Sequence, residues 1–215
     1  AEIEPPKRPP DTSKCWSGLA GQFVNEVAPQ TEASRMALLL QFILRAGAQH
    51  VNARAQVGAT RHPLLLNVIL VGKSSRGRKQ ESWNLVDETY RQALPDYQIK
   101  TIGGVTSGEG IIHVVRDPIR DEDGNVKEHR GGGAIDAGVT DKRGILFEAE
   151  FSSMLKVATR PGNTLSEVFR KLFDGGNLET TNKNSAEKAS RPHLAMVGHI
   201  TMEELLNQMP TAEMA

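Results

Sequence analysis

The 215-residue sequence holds one cysteine, Cys15. A single thiol excludes an internal disulfide framework and a cysteine-based zinc site. With no histidine near it in sequence, Cys15 reads as an ordinary thiol rather than a nucleophile. Aromatic residues make up only 5% of the chain, and the polar loops carry none interleaved for base stacking. Neither sign of charge is in excess: 26 basic and 26 acidic residues cancel. The field of the whole molecule therefore does not advertise nucleic acid, and any such contact rests on local patches. No apolar run approaches the roughly 18 residues of a membrane span. Ala1 to Pro10 is polar and proline-rich, unlike a signal peptide. These absences lead us to expect a soluble, cytoplasmic chain with no membrane partner, and no internal repeat suggests a solenoid. The length suits one ordinary domain with appendages and a substantial core.

What is present centres on Leu66 to Trp83. An apolar, β-branched run (Leu66 to Val71) drops into Gly72-Lys73-Ser74-Ser75-Arg76-Gly77-Arg78-Lys79, and helical spacing continues through Trp83, Val86, Tyr90 and Ala93. Strand, basic glycine loop and helix form the anatomy of a phosphate-binding loop. Glycines let successive backbone N–H groups turn toward one point, where the positive end of the helix and a lysine complete an anion site. Gly72 and Gly77 have the spacing of G-x-x-x-x-G-K-[ST], but Arg78 stands where lysine is expected and Lys79 where the metal-holding hydroxyl is expected. Either Arg78 or Lys79 reaches the phosphates, and Ser82 is the candidate hydroxyl for Mg²⁺.

The rest of the chain arranges itself about that loop. Pro5, Pro6, Pro9 and Pro10 make residues 1–15 a flexible arm. Residues 16–62 read as a helical lead-in, with one helix over Leu19 to Val27 and a second, capped by Thr31, carrying Met36 to Leu44. Gln41 and Gln49 on it are surface or interhelical hydrogen-bonding groups. Residues 63–215 read as an α/β core. Tyr97 to Ile102 is its second strand, followed by Thr106 or Ser107 as a helix cap, although Ile111 to Val115 also suits a strand. Glu109, just past that strand, faces the ligand crevice of an α/β sheet and is placed to orient or deprotonate water. Asp117 to Asp136 is a charged, glycine-rich hairpin excursion. Ile145 to Phe151 is an apolar strand ending in acid; Glu148 is first choice and Glu150 second for organising a metal's water shell. A helix from Thr164 to Phe173 ends at Asp174-Gly175-Gly176. Lys183, Asn184, Ser185, Lys188 and Arg191 mark a polar loop that either touches phosphates of a nucleic acid strand or, as such stretches usually are, is only solvated. The last strand, His193 to Thr201, ends in His199 and Thr201, either of which can donate to a γ-phosphate, and Thr201 caps a final helix.

In this order the motifs resemble the RecA-like P-loop ATPases. More closely they are similar to the helicase-like ATPase domains found with primase–polymerase proteins of phages and other mobile elements. The residues that carry the resemblance are Gly72 to Trp83, Thr106 to Gly110, Asp141 to Arg143 with Glu148 to Phe151, Asp174 to Gly176, Lys183 to Ser185 and Val197 to Thr201. The resemblance implies a RecA-like core truncated at its C-terminus, with ATP and Mg²⁺ as ligands. Lys79 or Arg78 would bind phosphate, Glu148 would stand at the Walker B position, Glu109 would activate water and His199 would be the polar sensor. Its implied partners are single- or double-stranded DNA, a primase–polymerase module and further copies in a ring. Gln80 and Glu81 depart from the small pair expected after the lysine, and they favour the alternative of a nucleotide- or DNA-binding module without turnover.

Overall fold

The computed structural model describes residues 11–73, 78–180 and 187–208. Two helices come first, α1 (Gly18–Val27) and α2 (Arg35–Gln49), then a hairpin of β1 (Arg54–Val57) and β2 (Thr60–Pro63). The central sheet contains β3 (Asn67–Val71), β4 (Lys100–Ile102), β5 (Arg143–Glu148) and β8 (His193–Ile200). Helix α3 (Lys79–Ala93) comes after β3, α4 (Gly108–Val114) after β4, and α5 (Phe151–Ala158) and α6 (Leu165–Phe173) lie between β5 and β8. Two-residue strands β6 (Leu178–Glu179) and β7 (Lys188–Ala189) pair with each other, and α7 (Met202–Gln208) ends the described chain.

The sheet runs β3-β8-β5-β4, and every pairing in it is parallel. Strand alternation divides its side chains between two faces. Ile145, Ala195 and Val197 pack with Leu44 and Ala48 of α2 and Trp83 of α3. Leu146, Leu194 and Ile200 pack with α4, α5 and α6. A third cluster, including Phe23, Leu38, Phe42, Val86 and Tyr90, fastens α1 to α2 and α3. The result is a helix–sheet–helix sandwich, the arrangement that buries both faces of a parallel sheet. Gly198 permits the closeness of one layer: a Cβ there would stand 2.8 Å from the Phe151 ring of α5.

Several expectations change in detail. The lead-in ends in the β1–β2 hairpin, which turns at Gly58 with φ +59°. Thr31 does not cap α2; Ser34 occupies that position, while Thr31 accepts from the Ala33 N–H at 3.0 Å and donates to Glu81. Residues 111–114 are helical, because Ser107 caps α4 by accepting from the Gly110 N–H at 3.1 Å. Asp117 to Asp136 folds back on itself as expected, closed at its base by two bonds from Arg116 to Asp136 at 2.6 and 3.0 Å. No described helix is long and apolar enough to cross a membrane. Most of the 1–15 arm, Lys183 to Ser185 and the last seven residues lie outside the described residues.

Candidate functional site

The chain leaves the C-terminal ends of neighbouring strands β3 and β8 toward opposite faces. From β3 it enters α3, which packs with α2; from β8 it enters α7, which packs with α5. Diverging connections open a crevice at the strand ends, the usual place for a ligand in an open parallel sheet. A cavity of about 1050 Å³ lies there, lined by the first turns of α3, by Ala149 and Glu150, and by His199 to Thr201.

Lys79 is the first residue of α3, and its ammonium donates to the carbonyls of Gly72 at 2.9 Å and Lys73 at 3.4 Å. The side chain is thereby folded over the start of the glycine loop, beside the helix N-terminus. Arg78, just before it, takes a left-handed backbone with φ +42°. Its guanidinium donates twice to Glu32, at 2.9 and 2.7 Å, and stands 3.7 Å from Glu81. Those carboxylates raise the guanidinium's already high pKa, the Glu32 hydrogen bond being the larger cause. Between the two candidate cations, Lys79 is the one held on the loop and Arg78 the one committed to Glu32. Gly72 extends the strand ladder by donating to Ile200 O at 3.1 Å. Gly77 lies outside the described residues.

His199 points to the α2 face, where it is buried. Its ring meets Phe147 edge-on with centroids 5.1 Å apart, and its Nε2 stands 3.2 Å from Gln41 Nε2. A donating Gln41 amide needs a lone pair on Nε2, which only the neutral ring offers. Burial, helped by the nearby Lys79 charge, lowers its pKa to about 4, in agreement with that neutral state. Gln41 is itself fully buried, and its Oε1 has no hydrogen-bond partner among the described residues.

The acidic residues separate. Glu148 ends β5, and its Oε1 accepts from the Val105 N–H at 2.9 Å, pinning the loop after β4. β5 and the β3 that feeds Lys79 are separated by β8 alone, so the two lie about 10 Å apart across the sheet. Glu150, two residues on, lines the cavity. Glu109 sits in the first turn of α4 and accepts from Thr164 Oγ1 at 3.0 Å. Its own backbone N–H, more than that bond, holds its carboxyl below the ordinary range. Neither Glu109 nor Glu148 lines the cavity.

Ser82 does not reach the cavity either. It is fully buried, and its hydroxyl donates to Lys79 O at 2.7 Å. The hydroxyl is engaged one helical turn back, on a carbonyl of its own helix. Among the described residues no cluster of three or more His, Cys, Asp or Glu is arranged to hold a metal.

Sequence reasoning did not foresee three contacts. Gln41 read as a surface or interhelical hydrogen-bonding group, whereas it is buried and meets His199 of the sheet. Glu32 is an isolated acid 46 residues before the arginine it binds. Glu204 forms a capping box with Thr201: Thr201 accepts from the Glu204 N–H at 3.2 Å, and the Glu204 carboxylate accepts from the Thr201 N–H at 3.0 Å. The Thr201-x-x-Glu204 spacing was a usable signal for it. Compared with models of protein families and with curated proteins, the sequence matches none.

Proposed function

We propose that this chain binds ATP in the crevice between β3 and β8 and hydrolyses it in the manner of a RecA-like P-loop ATPase. The observation that carries the reading is Lys79, the first residue of α3, whose ammonium rests on the Gly72 and Lys73 carbonyls while the crevice opens beside it. A loop, a helix N-terminus and a lysine converging on one point make an anion site. The strand order adds support. It sets the loop of Lys79, the neutral His199 and the carboxylate of Glu148 on three adjacent strand ends.

In this reading Lys79 binds the terminal phosphates. His199, neutral at pH 7, offers a hydrogen bond without adding a charge. Glu148 braces the Val105 loop through one carboxylate oxygen and leaves the other for water. Glu109, beyond the cavity lining, orients the attacking water only if α4 moves inward on nucleotide binding. The cavity walls hold Glu81, Glu88, Glu150 and Glu204 against Arg78 and Lys79. A triphosphate seated among those carboxylates needs a divalent cation, and Mg²⁺ suits because it keeps much of its water shell. Glu150, on the cavity wall, would hold such water; Glu148, outside the lining, would join it only with a shift of the Val105 loop, and Ser82 does not fit the role. DNA, a primase–polymerase module and ring assembly belong to the proposal through the resemblance alone.

The test is ATP binding and phosphate release by the purified chain with Mg²⁺. Lys79→Ala and Glu148→Gln are each expected to cut turnover about 100-fold or more, the scale set by losing a preorganised electrostatic group. Absence of ATP binding by the parent protein sinks the reading. A second reading, a nucleotide-binding module without turnover, is favoured by the occupied Ser82 hydroxyl and by Glu81 at the cavity wall. Tight binding with no phosphate release, with or without DNA, selects it.

A further inference from the structure

A second cavity, also about 1050 Å³, lies at the N-terminal ends of β5 and β8, the edge of the sheet away from Lys79. Its charge is lopsided in a chain with none overall: seven arginines and lysines line it against three aspartates. Two of the cations are neutralised locally, Lys142 by Asp117 and Arg143 by Asp141. The remaining five, Arg54, Arg61, Arg120, Lys188 and Arg191, are exposed and have no carboxylate partner among the described residues. Asp174 is the only lining carboxylate left to set against them. The field of this cluster reaches inward as well. Burial is the main reason His193 has a lowered pKa, and Arg54 and Arg143 push it the same way.

The placement of the free cations is structured. In the β1–β2 hairpin Arg54 lies opposite Pro63, and Arg61 lies two residues before Pro63, so the two arginines share one face. Two residues of strand separate them by about 7 Å, close to one phosphate-to-phosphate step along a single strand. No other reason for the hairpin is visible in packing: seven of its eight strand residues are exposed and it adds nothing to the hydrophobic clusters.

We infer that this basic cavity binds the phosphodiester backbone of single-stranded nucleic acid, independently of any nucleotide at Lys79. A volume of about 1050 Å³ corresponds to an edge of about 10 Å, room for about two phosphates of one strand. A duplex is too broad, since its major groove alone is about 12 Å wide. A concave pocket also does not meet a flat bilayer. The lining contains no Phe, Tyr or Trp, so binding reads the backbone and discriminates little among bases.

The experiment is fluorescence anisotropy of labelled oligo-dT with the full chain, at 50 and 200 mM salt. Two neutralised phosphates give a slope near −1.4 in log affinity against log salt, hence an expected loss of about sevenfold between those conditions. The double variant Arg61→Glu, Arg191→Glu is expected to weaken binding at least tenfold, and oligo-dA and oligo-dT should bind alike. Both side chains are exposed and carry no side-chain partner among the described residues, and an unchanged melting curve confirms that the variant folds. Lys79→Ala should leave oligonucleotide binding unaltered, which separates this site from the one proposed for ATP. Four results overturn the inference: no binding by the parent, an unaffected double variant, tighter binding of duplex than of single strand, or equal Arg61-dependent binding of polyglutamate.

Discussion

His199 shows how a residue's surroundings can be read as a pH dependence. In the unfolded chain its pKa is near 6.5; in the fold, burial and then Lys79 hold it to about 4. Between those values the unfolded chain takes up a proton that the folded ring refuses, so acid favours unfolding. Stability is therefore full above pH 6.5, falls as the pH drops through the window, and levels off below about 4. From pH 7 to pH 5 this ring alone removes about 2 kcal/mol, and His193, lowered mainly by burial, acts in the same direction. Urea titrations at the two pH values measure the loss, and His199→Gln should flatten most of it. The pair Arg78 and Lys79 supplies a second residue-scale contrast. If the chain binds ATP as proposed, Arg78→Ala should leave the affinity within a few-fold of the parent, because its guanidinium is engaged by Glu32. Lys79→Ala should abolish measurable binding. Equal losses in isothermal titration, or the reverse order, would mean that Arg78 faces the phosphate.

Among the elements, α2 and α3 are joined by more than apolar contact. Arg45 is almost fully buried on α2; it stands 3.5 Å from Asp87 of α3, and its guanidinium lies 5.2 Å from the Tyr90 ring centroid. Burial lowers the Arg45 pKa against the opposing pull of Asp87. Removing one partner of such a pair strands a buried charge, so Asp87→Ala should cost about 3–5 kcal/mol. Chemical denaturation would show a lower midpoint at unchanged slope. The elements differ sharply in how well the sequence announces them. β3, α3, β5 and β8 were legible because apolar runs and helical spacing are strong local signals. The β1–β2 hairpin was not, since its strands bury nothing and leave no alternation to find. The Thr31 cap failed for a similar reason: a threonine before a helix looks like a cap, and only the distant Glu81 decides otherwise. In the candidate site, motif order brought Lys79 and His199 to one crevice, and both line it. The engagement of Arg78 was not legible, because it depends on Glu32, whose position relative to Arg78 is set by tertiary packing.

At the scale of the whole molecule, two cavities of similar size occupy opposite edges of one sheet, and β8 reaches both with a histidine near each end. His199 meets Gln41 and His193 meets Gly47 O at 2.9 Å, so α2 touches the strand at its two extremes. A lead-in helix so placed is part of the sheet's own layer, and residues 16–62 do not separate cleanly from the α/β core. The consequence belongs to native-state hydrogen exchange. Amides of α2 should open together with those of β8, at the free energy of global unfolding, as one cooperative unit. Amides of the β1–β2 hairpin should exchange orders of magnitude faster, through local openings that leave the rest of the fold intact. If α2 exchanges early while β8 stays closed, the helix is an appendage after all.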